Sequence, residues 1–404
     1  MMPAQKKILL LGGLRYLLPV IEEAHKMGVY VITADYLPDN IAHKYSDEYV
    51  NASIIDKDAV LKVAEEKHID GILSFAVDPG VVTAAYVAEK MHLPFQCSYE
   101  AASILQNKML FREYLQQHGF PCPWHYGFSS VEQVLAREAE FSYPLIVKPT
   151  DSAGSKGVSR VNKKEELRTA AELAFKNSIS GGCIVEQFLE TVGFQSSADV
   201  FTQDGKLVYS TYSDQAFDKK ATNPYTPAIE IWPSSMSQTY QQNLDEQLQR
   251  LFDLLHVKTG IYNVEARVCP DGIAYIMEVS PRGGGNRIAE LQSMATRQNL
   301  IRAEIQKALG MPVEQLTMPR FDGVWCNYIL HSYEEGEFVR LEMDENFKRQ
   351  HVVDMGLTVE AGDRVRTFTG ANTSLGTLFL HFDSREQLDE CMQNASHYIR
   401  IVLQ

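Results

Sequence analysis

The chain has 404 residues, of which 45% are apolar and 22% charged, and its formal net charge is −14. That length exceeds one ordinary hydrophobic core and calls for two or three domains, while the composition excludes wholesale disorder. The acidity argues against nucleic acid or an anionic membrane surface as a partner, since both reward clustered Lys and Arg.

The opening residues alternate short apolar runs with amphipathic stretches. Residues 8–11 predict a buried strand ending at Gly12-Gly13, and 17–26 a helix closed by Gly28. A strand at 30–34, a helix at 58–67, a strand at 71–75 and a helix at 81–91 follow. This alternation predicts a parallel sheet covered on both faces, so residues 1–106 read as one α/β unit. The apolar run before Gly12 is far too short to span a membrane. Gly12-Gly13 also lacks the GxGxxG pattern, which counts against the alternative of an oxidoreductase holding NAD on this unit.

A helix at 108–118 stops at Gly119 with Pro121 and Pro123 beyond it. Residues 144–149 predict a strand containing Lys148, followed by the small-residue loop 152–157; that order differs from a P-loop. A helix at 163–176 and strands at 184–188, 196–201 and 207–211 come next, the last two joined at Asp204-Gly205. Residues 214–235 hold three prolines and read as a long irregular loop, with Asp218, Lys219, Lys220, Tyr225 and Trp232 as candidate substrate contacts. A helix at 241–256 leads into a hairpin. The remainder, from Arg320, reads as a smaller β-rich unit with a closing helix at 387–399. The domains expected are 1–106, 107–312 and 313–404. The six cysteines are scattered without zinc-type spacing, as suits reduced thiols in the cytoplasm.

The hairpin carries the most chemistry. With Asp271-Gly272 as a two-residue turn, Pro270 pairs with Ile273, Arg267 faces Ile276, Glu265 faces Glu278 and Asn263 faces Ser280. The other face then holds Val264, Ala266, Val268, Tyr275, Met277 and Val279. Two opposed carboxylates about 5 Å apart repel by roughly 3 kcal/mol at an effective dielectric near 20. A good cross-strand pair returns only about 0.2–1 kcal/mol, so a divalent cation is the natural compensation. A solvated acidic face bridged by Arg267 is the plainer alternative. After the hairpin, Arg282, a run of three glycines and Arg287 enter a helix, a pattern suited to anions.

Set together, these pieces resemble the ATP-grasp superfamily, in particular its carboxylate–amine ligases of the carbamoyl-phosphate-synthase-like type. The motifs are Asn107-Lys108, the strand containing Lys148, the loop with Gly154 and Gly157, the segment Ile184 to Leu189, Glu265, and Glu278-Val-Ser-Pro-Arg282. The resemblance covers nearly the whole chain. It implies a Rossmann-like pre-ATP-grasp domain, a two-lobed ATP-grasp domain and a small C-terminal β-rich domain. It further implies that Lys108, Lys148, Ser152, Lys156, Gly157, Glu186, Gln187, Phe188, Leu189 and Gln195 contact ATP. Glu265 and Glu278 would hold Mg²⁺, or Mn²⁺ in its place. Lys148 and Arg282 would be catalytic, Arg282 and Arg287 would meet the substrate, and residues 152–157 would form a lid. The implied reaction turns a small-molecule carboxylate into an acyl phosphate for attack by an amine, releasing ADP and phosphate, in a cytoplasmic enzyme, with a homodimer as the expected assembly. Three departures are Gln195 in place of a ribose-binding glutamate, Ser280 in place of a metal-binding asparagine, and Asn107 in place of a frequent aspartate. A purine-biosynthetic ligase acting on a ribonucleotide and a non-catalytic nucleotide-binding regulator stay open as alternatives.

Overall fold

The computed structural model describes residues 5–152, 154 and 156–404, apart from the side chain of Ala371. The first strands form a four-stranded parallel sheet in the order Glu48–Asn51, Tyr30–Asp35, Lys7–Leu11, Gly71–Leu73. Ile8 to Leu11 are wholly buried, as a strand packed on both faces requires. Helices Leu18–Lys26 and Asp78–Lys90 belong to this unit. Two elements lie outside the sequence expectation. The edge strand Glu48–Asn51 is only half-buried and lacks an apolar run. Helix Tyr99–Gln106 is short, and Ser98 caps it by accepting from the N–H of Ala101.

Two antiparallel sheets follow. The smaller runs His125–Phe128, Cys183–Gln187, Leu145–Pro149, Ser159–Val161, with helix Leu167–Asn177 packed on its own core around Val147, Val161 and Val185. The larger runs Lys206–Tyr212, Ser196–Gln203, Gly260–Val268, Ala274–Ser280, and shares a core with the N-terminal sheet. Helix Leu300–Ala308 stands at that junction. A Cβ on Gly71 would come 2.4 Å from the carbonyl oxygen of Ala308, so only glycine fits there.

The stretch 214–235 is not an irregular loop. It contains strands Asp214–Phe217 and Pro227–Trp232, paired with each other and, through the second, with Val324–Leu330 in a five-stranded sheet. The prolines hid this: Pro227 opens its strand and Pro233 follows it, positions where a missing N–H costs little. Trp232 is wholly buried beside Ile288, Leu291 and Phe379 rather than offered to a substrate. Gly376–Phe382 and Val352–Leu357 complete that sheet; Arg364–Val365, Gly336–Met343 and Ile399–Leu403 form a three-stranded one. The closing helical stretch is Arg385–Gln393 followed by the short helix Ala395–Tyr398, and residue 399 already begins a strand. Among the described residues no helix is long and apolar enough to cross a membrane.

Candidate active site

The hairpin places Glu265 opposite Glu278 and Asn263 opposite Ser280, as expected, but by a different route. The turn has three residues, Pro270, Asp271 and Gly272, closed by the N–H of Cys269 on the carbonyl of Ile273 at 3.0 Å, with Gly272 at φ +77. That extra turn residue shifts the inner pairs by one, so Arg267 faces Tyr275 rather than Ile276. A bulge then restores the outer register, leaving Met277 as the extra residue. Ala274 and Ile276 therefore join the core, while Tyr275 and Met277 turn to the glutamate side and pack with Leu189 and Cys269.

Helix Lys108–Gln117 begins at Asn107, whose side chain accepts from the N–H groups of Met109 and Leu110. The unusual asparagine is thus a cap. The N–H of Lys108 donates to the carbonyl of Thr150 at 2.7 Å, fixing the helix start against the Lys148 strand. Lys108 Nζ lies 3.3 Å from Glu278 Oε2 and donates to the carbonyl of Ser152 at 3.0 Å. Burial works against its charge, but Glu278 and Asp78 more than offset that and raise its proton affinity.

Four residues further on the same helix face, Arg112 donates through Nε to Glu186 Oε2 at 2.9 Å and through a terminal nitrogen to the carbonyl of Met277 at 2.9 Å. Lys148 pairs with the other oxygen of Glu186. Burial favours the neutral carboxyl of Glu186, yet Arg112 and Lys148 pull it down to about 2. Burial lowers Lys148, and the nearby Arg112 and Lys108 lower it further against the pull of Glu186. Arg112 was absent from the sequence reading, although its i, i+4 spacing from Lys108 puts the two on one helix face.

Gln195 accepts from Arg267 Nε at 2.6 Å and donates to Gln215 at 2.7 Å and to Glu265 Oε2 at 3.4 Å. Arg267 also holds the carbonyl of Leu189 at 3.2 Å. The N–H of Gln187 donates to the carbonyl of Trp124, and Phe188 lies under Arg160, 4.1 Å from its guanidinium. Ser152 Oγ donates to the carbonyl of Lys156 at 2.7 Å, Lys156 is exposed, and Gly157 sits at φ +74 against Pro149 and Asn177. In the stretch 152–157 expected as a lid, Ala153 and Ser155 lie outside the described residues.

Arg282 is gripped by both oxygens of Asp78, at 2.8 and 2.7 Å, and Ser280 Oγ donates to the same carboxylate at 3.0 Å. Asp78 opens the helix that follows the fourth parallel strand of the N-terminal unit, where ligands of such sheets collect. Arg287 is turned elsewhere, paired with Glu290 at 2.8 Å and Asp354 at 2.5 Å over the ring of Phe379. In the glycine run, the N–H of Gly284 donates to Asp199.

The donor set fits a hard divalent cation. Burial, then the charge of Glu278, raises the carboxyl of Glu265 in spite of the nearby Arg267, Lys108 and Lys148, a rise that a cation bound between the two glutamates would relieve. Among the described residues no group of three or more His, Cys, Asp or Glu side chains gathers for a metal; these two stand as a pair.

The ATP-grasp domain family matches residues 141–290. The chain carries an ATP-grasp domain. Beyond it, the chain is 24% identical over 291 residues to the carbamoyl phosphate synthase large chain of Thermotoga maritima, a match covering 72% of this chain and 25% of that protein. The chain thus spans about a quarter of the length of those relatives. An L-amino acid ligase from Bacillus licheniformis superposes with a TM-score of 0.81 at 21% identity over 99% of both chains. The biotin carboxylase domain dimer of Hydrogenobacter thermophilus 2-oxoglutarate carboxylase, solved with MgADP, ADP and bicarbonate, gives 0.76 at 15% identity, covering 98% of this chain and 91% of that one. The likeness in fold therefore extends over the N-terminal parallel sheet and the C-terminal strands as well.

Proposed function

We propose that the chain is an ATP-dependent carboxylate–amine ligase. A carboxylate oxygen attacks the γ-phosphorus of ATP, the bond to the β-phosphate bridging oxygen breaks, and an acyl phosphate and ADP result. The nitrogen of a neutral amine then attacks the acyl carbon, phosphate leaves, and the amine loses a proton. The observation that carries this reading is the direct opposition of Glu265 and Glu278, with Lys108 3.3 Å from the latter.

Bound on Glu265 and Glu278, Mg²⁺ or Mn²⁺ would neutralise phosphate oxygens of the nucleotide. Lys108 and Lys148 supply positive charge along the phosphates, and Arg282, kept in place by Asp78, meets charge developing on the transferred group. Glu186, Gln187, Phe188 and Leu189, with Tyr275 and Met277 alongside, offer the adenine an apolar slot with a polar edge. Ser152, Lys156 and Gly157 line the phosphate side, and Gln195 faces the ribose. We assign residues 1–106, 107–312 and 313–404 to the pre-ATP-grasp, ATP-grasp and C-terminal β-rich domains. The acidity of the chain favours small-molecule substrates over nucleic acid, and six free cysteines suit the cytoplasm. A homodimer is expected.

Two measurements test the reaction. Glu278→Gln should abolish ADP release while the fold survives, because the substitution keeps shape and removes one of two repelling charges. Hydroxylamine should trap the acyl phosphate as a hydroxamate, dependent on ATP and on an acid. Unimpaired turnover by the variant at saturating Mg²⁺ would remove these glutamates from the mechanism.

A further inference from the structure

Beside the phosphoryl-transfer residues lies a floor of buried oxygens with nothing to accept among the described residues. Asp199 Oδ1 receives Asn263 Nδ2 and the N–H of Gly284, each at 2.9 Å, but its Oδ2 is buried without a partner. Glu230 Oε1 receives Gln215 Nε2 at 3.1 Å, and its Oε2 likewise has none. Asn327 donates to the carbonyl of Asn286 at 2.7 Å, leaving its Oδ1 unpartnered. Glu230 and Asn327 are direct partners across strands Pro227–Trp232 and Val324–Leu330, so their side chains leave the sheet on one face. None of these residues is more than 2% exposed.

Their amides cannot be turned to relieve one another. Gln195 accepts from Arg267 with its oxygen, so its nitrogen faces Gln215 and Glu265. Gln215 accepts with its oxygen, so its nitrogen faces Glu230. The relay runs from the guanidinium of Arg267 to the carboxylate of Glu230, each link donating the same way. The two arginines of the neighbouring segment are engaged as well, Arg282 by Asp78 and Arg287 by Glu290 and Asp354. What remains among the described residues is a set of acceptors without donors, two of them carboxylate oxygens; the charge of Arg282 reaches Asp199, while Glu230 faces only the like charges of Asp199 and Glu265.

We propose that Glu230, Asp199 and Asn327 receive a primary ammonium group, so that the carboxylate substrate of this ligase is an amino acid recognised through its free amine. An ammonium has three N–H donors and one positive charge, which is the complement of the three open oxygens. Held as a cation its nitrogen has no lone pair, so it is the handle of the acid being activated and not the attacking amine. The relay joins this floor to Glu265 through Gln195 and Gln215, side chain to side chain, which puts the handle and the phosphoryl-transfer centre within the reach of one small molecule. Gln195 now has a reason to be an amide: a glutamate there would lose the donor to Gln215 and set a third carboxylate against Glu265.

The identity of the substrate rests on the ligase reading, so the test does not depend on turnover. A panel of free L-amino acids, and the N-acetyl form of each, is titrated calorimetrically into the full chain with Mg²⁺ and ADP present. At least one free amino acid should bind, its N-acetyl form about tenfold or more weaker, since a charged hydrogen bond is lost. Glu230→Gln should weaken the free form by a similar factor and leave ADP affinity within about twofold. Asn327→Ala, which touches no charge, should weaken it in the same sense. Binding by none of the free amino acids, equal binding by the acetylated forms, or no effect of either substitution overturns the proposal. The ligase reading stands or falls separately, on ADP release by Glu278→Gln.

Discussion

Glu230 shows how one buried side chain ties stability to pH. Burial pushes its carboxyl up to about 7 from 4.5, against the hydrogen bond from Gln215, and the charges of Asp199 and Glu265 add to the rise. A raised carboxyl means that the folded chain holds a proton which the unfolded chain has already released. Glu230 therefore costs nothing below the unfolded value near 4.5; its cost grows from there up to about 7 and is constant above. Fully expressed, the difference is about 3 kcal/mol. Glu230→Gln should raise the melting temperature relative to the parent at pH 8 and leave it nearly unchanged at pH 5; equal shifts at both pH values would mean the carboxyl titrates normally. Glu186 has the opposite sign, since Arg112 and Lys148 keep it ionised against burial and hold it at about 2. Little of this was legible in the sequence. Glu186 and Lys148 stood out by their motifs, but Arg112 lies in an ordinary helix pattern and Gln215 and Glu230 in a stretch whose prolines imitate a loop, and only the fold shows which charges are left without water.

Strand and helix placement decides which of two similar lysines matters. Lys148 lies inside strand Leu145–Pro149 against Glu186, whereas Lys176 is exposed near the end of helix Leu167–Asn177. Lys148→Ala should raise the KM for ATP and lower kcat by about tenfold or more, because it removes a charged partner of the phosphates and leaves Glu186 half-paired. Lys176→Ala should change neither within about twofold; equal effects of the two would return Lys148 to a structural role. The alternation of elements in the N-terminal unit, the pairing of 196–201 with 207–211 across Asp204-Gly205 and the opposed glutamates were all readable from apolar period and turn residues. What failed did so for definable reasons. Asp271-Gly272 signals a turn but not its length, so the facing of Tyr275 is reversed, and the bulge at Met277 that restores Glu278 has no residue that announces it. Prolines at both ends of Pro227–Trp232 imitate a loop, although neither occupies a position that needs its N–H within the sheet.

Across the whole molecule, the N-terminal unit does more than accompany the ATP-grasp domain. Asp78, on the helix after its fourth strand, holds Arg282 through both oxygens and Ser280 through a third contact. Asp78→Asn keeps the shape but replaces one acceptor oxygen by a donor facing the guanidinium. It should lower kcat by about tenfold while the KM for ATP stays within about twofold, since Arg282 acts on the transferred group and not on the nucleotide. Parallel loss in both constants would show instead that Asp78 supports nucleotide binding.

The junction at helix Leu300–Ala308 has a consequence for how this protein can be cut or recombined. Eight of its nine residues are buried, among them Leu300, Ile301 and Ile305. Lys307 is enclosed with Glu304 at 2.9 Å and takes Gln96, from the N-terminal unit, as a further partner at 2.5 Å. Gln96 also accepts through its carbonyl from Lys258 and Tyr262. The seam between modules therefore does not follow the order of the chain: a late helix is part of the floor on which the first sheet rests. A chain begun at residue 107 should expose this apolar face, strand Lys307 beside Glu304 without Gln96, and fail to give a soluble monomer when expressed. A homologous exchange of the first unit should succeed only when residues 300–309 travel with it, which makes the inherited module a discontinuous one.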